Sequence, residues 1–178
     1  MQKRRLLFIA AMTVVLAAGL IAQEQPKQPL SPPGSATLTF ASGKSVTIDY
    51  SRPSMRGRKI FGGLVPYGQV WRTGANAATS LKTDVDLVIG GAKVPAGSYT
   101  LYTIPNENGW KLIINKQTGQ WGTDYDEKED LARVEMKVSK NASPTEQFTI
   151  SFDQTGKTSG VLKLEWADTL AKVDVAEK

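Results

Sequence analysis

Apolar residues recur at every second position through most of this chain. Val46, Ile48 and Tyr50 alternate with Ser45, Thr47 and Asp49, and Phe148, Ile150 and Phe152 alternate with Thr149, Ser151 and Asp153. Leu162, Leu164 and Trp166 alternate with Lys163 and Glu165. A period of two buries one face of an extended strand and leaves the other wet. Ala36 to Phe40, Leu81 to Ile89, Val134 to Val138 and Ala171 to Val175 repeat the pattern. Tyr99 to Ile104 and Trp110 to Asn115 are apolar on both faces, so this hairpin is expected at the centre or under a loop. Short turns separate about nine or ten strands in all, the spacing of an all-β sandwich or barrel. No strand–helix–strand alternation is present, which excludes a Rossmann-type nucleotide fold. The expected fold is all-β: a single antiparallel β-sandwich-like domain with one long irregular loop and at most a short helix, N-capped by Asp126.

The N-terminus does not belong to that pattern. Lys3, Arg4 and Arg5 precede an uncharged apolar run reaching Ala22, the arrangement of a secretory signal peptide over residues 1–22. The alternative is an uncleaved anchor, since the run approaches the length that spans a bilayer. Membrane contact is expected only through that segment. Residues 23–34 are rich in Gln and Pro and read as a linker, leaving residues 35–178 as the β-sandwich domain. The expected location is periplasmic or secreted. The three cations of residues 1–22 account for part of the formal +5, leaving +2 in the mature chain. The basic balance therefore gives no case for nucleic acid, which needs a basic patch on the folded domain.

The chain has no Cys and no His. Disulfides cannot form, and the common zinc, copper, haem and iron–sulfur ligations lack their ligands. Ser-His-Asp and Cys-His catalysis are excluded. No cofactor and no metal is expected. The run from Asp124 to Asp130 fails the EF-hand pattern, because Lys128 occupies its fifth position and the glycine is missing.

One stretch breaks the alternation. Residues 52–79 read RPSMRGRKIFGGLVPYGQVWRTGANAAT. Arg52, Arg56, Arg58, Lys59 and Arg72 gather cations among five glycines, with Phe61, Tyr67 and Trp71 between them. Guanidinium groups fork onto carboxylate, sulfate or phosphate, and glycine-rich backbone can turn its N–H groups to an anion. The spacing is not a P-loop. Two readings stand side by side. In one, Arg52, Arg56, Arg58, Tyr67, Trp71, Arg72 and Asn76, with Trp121 from a second irregular region, bind a small anionic or sugar-like ligand. In the other, Trp71 and Phe61 plug the end of the sandwich. The cations are then solvated or paired with Asp124, Asp126, Glu127, Glu129 and Asp130. Structureless connections this long are uncommon unless functional or disordered, and this one is too apolar for disorder.

The motifs RGRKIFGGLVPYGQVWRTGAN, PAGSYTLYTIP, the Trp121-Gly122…Tyr125 patch and the late LEW resemble a widespread family of exported bacterial proteins, known only as a domain of unknown function. The resemblance spans about Ser45 to Val175. It implies a secreted or periplasmic β-rich domain and brings no activity, substrate or catalytic residue with it. The favoured expectation is a non-enzymatic binding module for a small anionic or sugar-like ligand or an envelope partner. Its alternatives are a metal-independent hydrolase using Asp124 or Asp126, and a purely structural interaction domain.

Overall fold

The computed structural model describes residues 30–178. The signal peptide expected over residues 1–22 and most of the linker lie outside them. The described chain is all-β. Its strands are β1 (Pro33–Thr39), β2 (Ser45–Ser51), β3 (Thr79–Thr83), β4 (Leu87–Ile89), β5 (Ala92–Val94), β6 (Gly97–Ile104), β7 (Trp110–Asn115), β8 (Asp130–Gln154) and β9 (Ser159–Glu177). They form one nine-stranded antiparallel sheet in the order β1-β2-β3-β6-β7-β8-β9-β4-β5. The sheet is open, with β1 and β5 at its edges. The helical content of the described residues is one 3₁₀ turn, Glu127–Glu129, with Asp126 as N-cap accepting from the Lys128 amide.

Alternation becomes burial strand by strand. Val46, Ile48 and Tyr50 are buried while the residues between them are not. One core cluster joins Leu38, Ile48 and Leu81 of β1–β3 to Ile150, Leu162 and Leu164 of β8–β9. The single sheet therefore folds over, so that distant strands face one another. The Tyr50 hydroxyl spans this core, donating to the Ile150 carbonyl (3.2 Å) and accepting from the Ile150 amide (2.8 Å). A buried phenol needs such partners, and here they tie β2 to β8.

Four features differ from the expectation. Pro33 and Gly34, assigned to the linker, pair in β1 with Ser51 and Tyr50. The run from Leu81 to Ile89 divides at Thr83, whose hydroxyl donates to the Val85 carbonyl (2.7 Å). The chain bends there, and β4 pairs with β9 at the far end of the sheet. The short strands expected around Val134, Phe148, Leu162 and Ala171 are halves of two long ones. In β8 and β9 the register shifts between Lys140 and Thr145 and again before Thr149. A polar stretch that reads as a turn is instead a bulged ribbon, which bends without ending the pairing. Asn141 holds the bulge by donating to Thr145 Oγ1 and the Thr169 carbonyl, both at 3.2 Å. Finally, one continuous sheet takes the place of two separate ones, because β8 pairs with β7 by its first residues and with β9 by the rest.

The β6–β7 hairpin lies near the middle of the order and is covered on its second face too. Tyr102 and Ile113 are fully buried outside the main core. Tyr125 packs edge-on to Tyr102, with centroids 4.9 Å apart, and Gln120 donates to the Tyr102 hydroxyl (3.0 Å). Residues 116–129 form that cover.

Candidate functional site

The stretch between β2 and β3 lacks regular structure, yet it is stitched to the sheet throughout. Ser54 bridges Gln147, Met55 donates its amide to the Glu146 carbonyl (2.8 Å), and Trp71 exchanges two backbone hydrogen bonds with Thr103 (2.7 and 2.8 Å). Ile60, Phe61 and Val65 enter the core. Gly62 holds a positive φ of 71°, and a Cβ there would lie 2.7 Å from the Tyr67 ring. Among the described residues, three of the four non-glycine residues with positive φ fall in this stretch: Arg56, Thr73 and Asn76. Thr73 is β-branched and fully buried, an uncommon occupant of the left-handed region. Its hydroxyl bonds that of Thr103 (3.1 Å), and its carbonyl accepts from Thr79 Oγ1 (2.8 Å). Strain held by surrounding bonds gathers at ligand clamps and active sites.

Trp71 belongs to an aromatic cluster. It stacks on Trp166 (5.8 Å, 17°) and meets Phe148 (5.0 Å) and Phe61 (6.0 Å) edge-on. Its Nε1 donates to the Gly74 carbonyl (3.1 Å). Both the ring and its polar atom are thus engaged by the protein. Trp71 and Trp166 also line a cavity of about 430 Å³, together with Arg56, Arg58, Arg72 and Asn76.

The arginines are held without being neutralised. Arg58 donates from Nε to the Met55 carbonyl (2.9 Å) and from NH2 to the Ser54 carbonyl (2.7 Å). Arg56 donates from NH2 to the Leu30 carbonyl (3.1 Å), and its backbone amide holds Glu146 Oε1 (2.9 Å). Carbonyls orient a guanidinium but leave its full charge, and each group keeps donors to spare. The Arg72 Nε is buried and has no hydrogen-bond partner among the described residues. What fixes that side chain is contact: a Cβ on Gly122 would collide with Arg72 Cδ. Among the described residues, no carboxylate lines the cavity and none of these arginines takes part in an ion pair.

The pairing with the acidic run that sequence allows is therefore not what forms. Arg133 takes Asp130 (2.7 Å) and Glu127 (2.8 Å), and Lys116 takes Glu129 (3.7 Å). Asp126 caps the 3₁₀ turn, and the exposed Asp124 meets the Thr123 hydroxyl (3.4 Å). Tyr125 joins the Arg133 group, donating to Asp130 Oδ2 (2.7 Å) and accepting from Arg133 (2.8 Å). Burial first, and then the Asp130 carboxylate, push its phenol up to about 12.

Five of the eight residues expected at a site, Arg56, Arg58, Trp71, Arg72 and Asn76, line this one cavity. Three do not. Arg52 turns to β8, donating to the Phe148 carbonyl (3.4 Å) and Thr149 Oγ1 (3.2 Å). Tyr67 lines a neighbouring cleft. Trp121 is exposed and bridges Ala77 through its backbone. The stretches holding Asn76 and Trp121 do meet, since the Gly122 amide donates to the Asn76 carbonyl (3.3 Å). Trp166, like Leu30 and Leu64, lines the cavity but was not among the residues expected at a site. Its signal was the LEW motif, but alternation marked it only as core. Among the described residues, no group of three or more Asp or Glu gathers as a metal would require.

No curated protein and no solved structure matches the chain. A family model does, across residues 31–175. On that match, the chain belongs to the family described as a protein of unknown function, DUF2911.

Proposed function

We propose that this domain is a non-enzymatic binding module whose central cavity holds a small anion. The observation that carries the reading is three guanidinium groups around one cavity with no carboxylate in its wall, one of them with a buried, unpartnered Nε. Leaving such a donor unmet costs about 1–3 kcal/mol. Charge-assisted bonds from a guanidinium to a carboxylate, sulfate or phosphate oxygen are the stronger kind. Arg56 and Arg58 supply further donors already aimed by backbone carbonyls, and Asn76 offers an amide. An anion is favoured over a neutral sugar because one face of the Trp71 ring is already taken by Trp166. The hydrolase reading has less support: Asp126 is engaged as a cap, and neither Asp124 nor Asp126 is among the residues lining the cavity.

The basic residues 3–5 and the apolar run behind them support export, so the ligand would be met in the periplasm or outside the cell. We read the folded-over sheet as sandwich-like, with the site at one end of its core. Thermal-shift measurements with phosphate, sulfate, citrate and galacturonate test the proposal. At least one should raise the wild-type midpoint in a dose-dependent way, and Arg72→Gln should abolish the shift. Equal shifts in wild type and variant would count against it.

A further inference from the structure

The central cavity is one of three that share walls. Arg58 is common to it and a cleft of about 360 Å³ lined by Ile60, Phe61 and Tyr67. Trp71 and Arg72 are common to it and a hollow of about 400 Å³ bounded by Val70, Gly122 and Tyr125. The three therefore form a row with an arginine at each junction. Among the described residues, Asp168 is the single acid lining any of them, against Arg56, Arg58, Lys59 and Arg72.

The exposed apolar surface follows the same row. The large hydrophobic side chains exposed among the described residues are Leu30, Leu64, Tyr67, Val70 and Trp121. Leu30 and Leu64 line the central cavity, Tyr67 one flank and Val70 the other, while Trp121 adjoins Gly122 in that second flank. Scattered apolar groups need no explanation, but a gathered set marks an interaction surface. Arginine and aromatic groups in pockets are also the usual anchors of an interface.

We propose that the row is a docking groove for an extended, acidic polypeptide segment of a partner protein. This rests on the anion reading of the central cavity and deepens it. Carboxylates of the segment meet Arg58 and Arg72 at the junctions, and its apolar side chains cover the rim. A small anion leaves both flanks and the rim unused. An acidic glycan would stack on flat rings, which Tyr67 and Trp121 offer, but Leu30, Leu64 and Val70, three of the five exposed apolar groups, are aliphatic. An extended chain turns alternate side chains to one face, so a single strand can present both carboxylates and apolar groups to the groove.

The test uses the mature chain and fluorescence anisotropy. The probe is a labelled peptide of about twelve residues repeating Glu-Leu-Glu-Ser, long enough to cross several pockets. Citrate, a three-residue Glu-Leu-Glu peptide, a Lys-for-Glu counterpart and a galacturonate oligomer serve as competitors. The long acidic peptide should bind about tenfold or more tightly than the short one, and the basic counterpart should not bind. Val70→Ser and Tyr67→Ala, each checked for an unchanged melting midpoint, should weaken the long peptide several-fold and leave citrate unaffected. If citrate binds but the long peptide gains nothing over the short one, the groove is refuted and the central anion site stands. If the galacturonate oligomer binds and the peptide does not, the polypeptide assignment is overturned. If the peptide does not bind, and none of citrate, phosphate, sulfate and galacturonate does, both readings fall.

Discussion

Arg72 is positioned by crowding, not by hydrogen bonds. Gly122 leaves room for its aliphatic stem, and nothing among the described residues meets its buried Nε. Two tryptophans of the same region separate structure from surface. Trp71 is wedged among Phe61, Phe148 and Trp166, whereas Trp121 is 56% exposed. Trp71→Ala should cost about 3 kcal/mol or more in urea unfolding, and Trp121→Ala should stay within about 0.5 kcal/mol of wild type. Tyr125 offers a pH test. Its folded pKa, about 12, lies above the ordinary 10. Its neutral form therefore contributes stability that is fully present below about pH 10 and lost as pH rises through about 12. The gap in unfolding midpoint between wild type and Tyr125→Phe should be constant from neutral pH to about 9 and should shrink above 10. Of the eight expected site residues, the five that share the cavity were legible because guanidinium chemistry and clustering in one loop are local facts. Arg52 was not, because its partners on β8 lie almost a hundred residues away.

At the scale of elements, strands with one wet face were readable from alternation alone. Val46, Ile48 and Tyr50 point inward as their spacing requires. What alternation could not show was continuity. The polar residues between Val138 and Phe148 look like a turn, yet they remain paired through a bulge held by Asn141. Nor could it show the bend at Thr83, where a side-chain hydroxyl captures a backbone carbonyl and sends β4 to the other end of the sheet. Asn141→Ala removes the side-chain staple. It should lower stability by about 1–2 kcal/mol and speed amide exchange around residues 139–147, with little change in β1–β3. Uniform exchange across the sheet would mean that the bulge is held by its backbone alone.

For the whole molecule, one open sheet folded around a single core leaves the stretch between β2 and β3 to close one end. That stretch fills the core with Phe61 and Trp71 and presents arginines outward from the same backbone, so plug and site are two faces of one element. With no histidine or cysteine in the chain, the proposed recognition there would fall to guanidinium groups, amides and apolar contact. The most direct measurement of this claim is a nitrogen–proton NMR titration of the arginine Nε–Hε groups with citrate. The Arg72 signal should move saturably, together with that of Arg56 or Arg58, while Arg133, already paired with Asp130 and Glu127, stays in place. A titration in which Arg72 does not move, or in which every arginine drifts together without saturating, would contradict it.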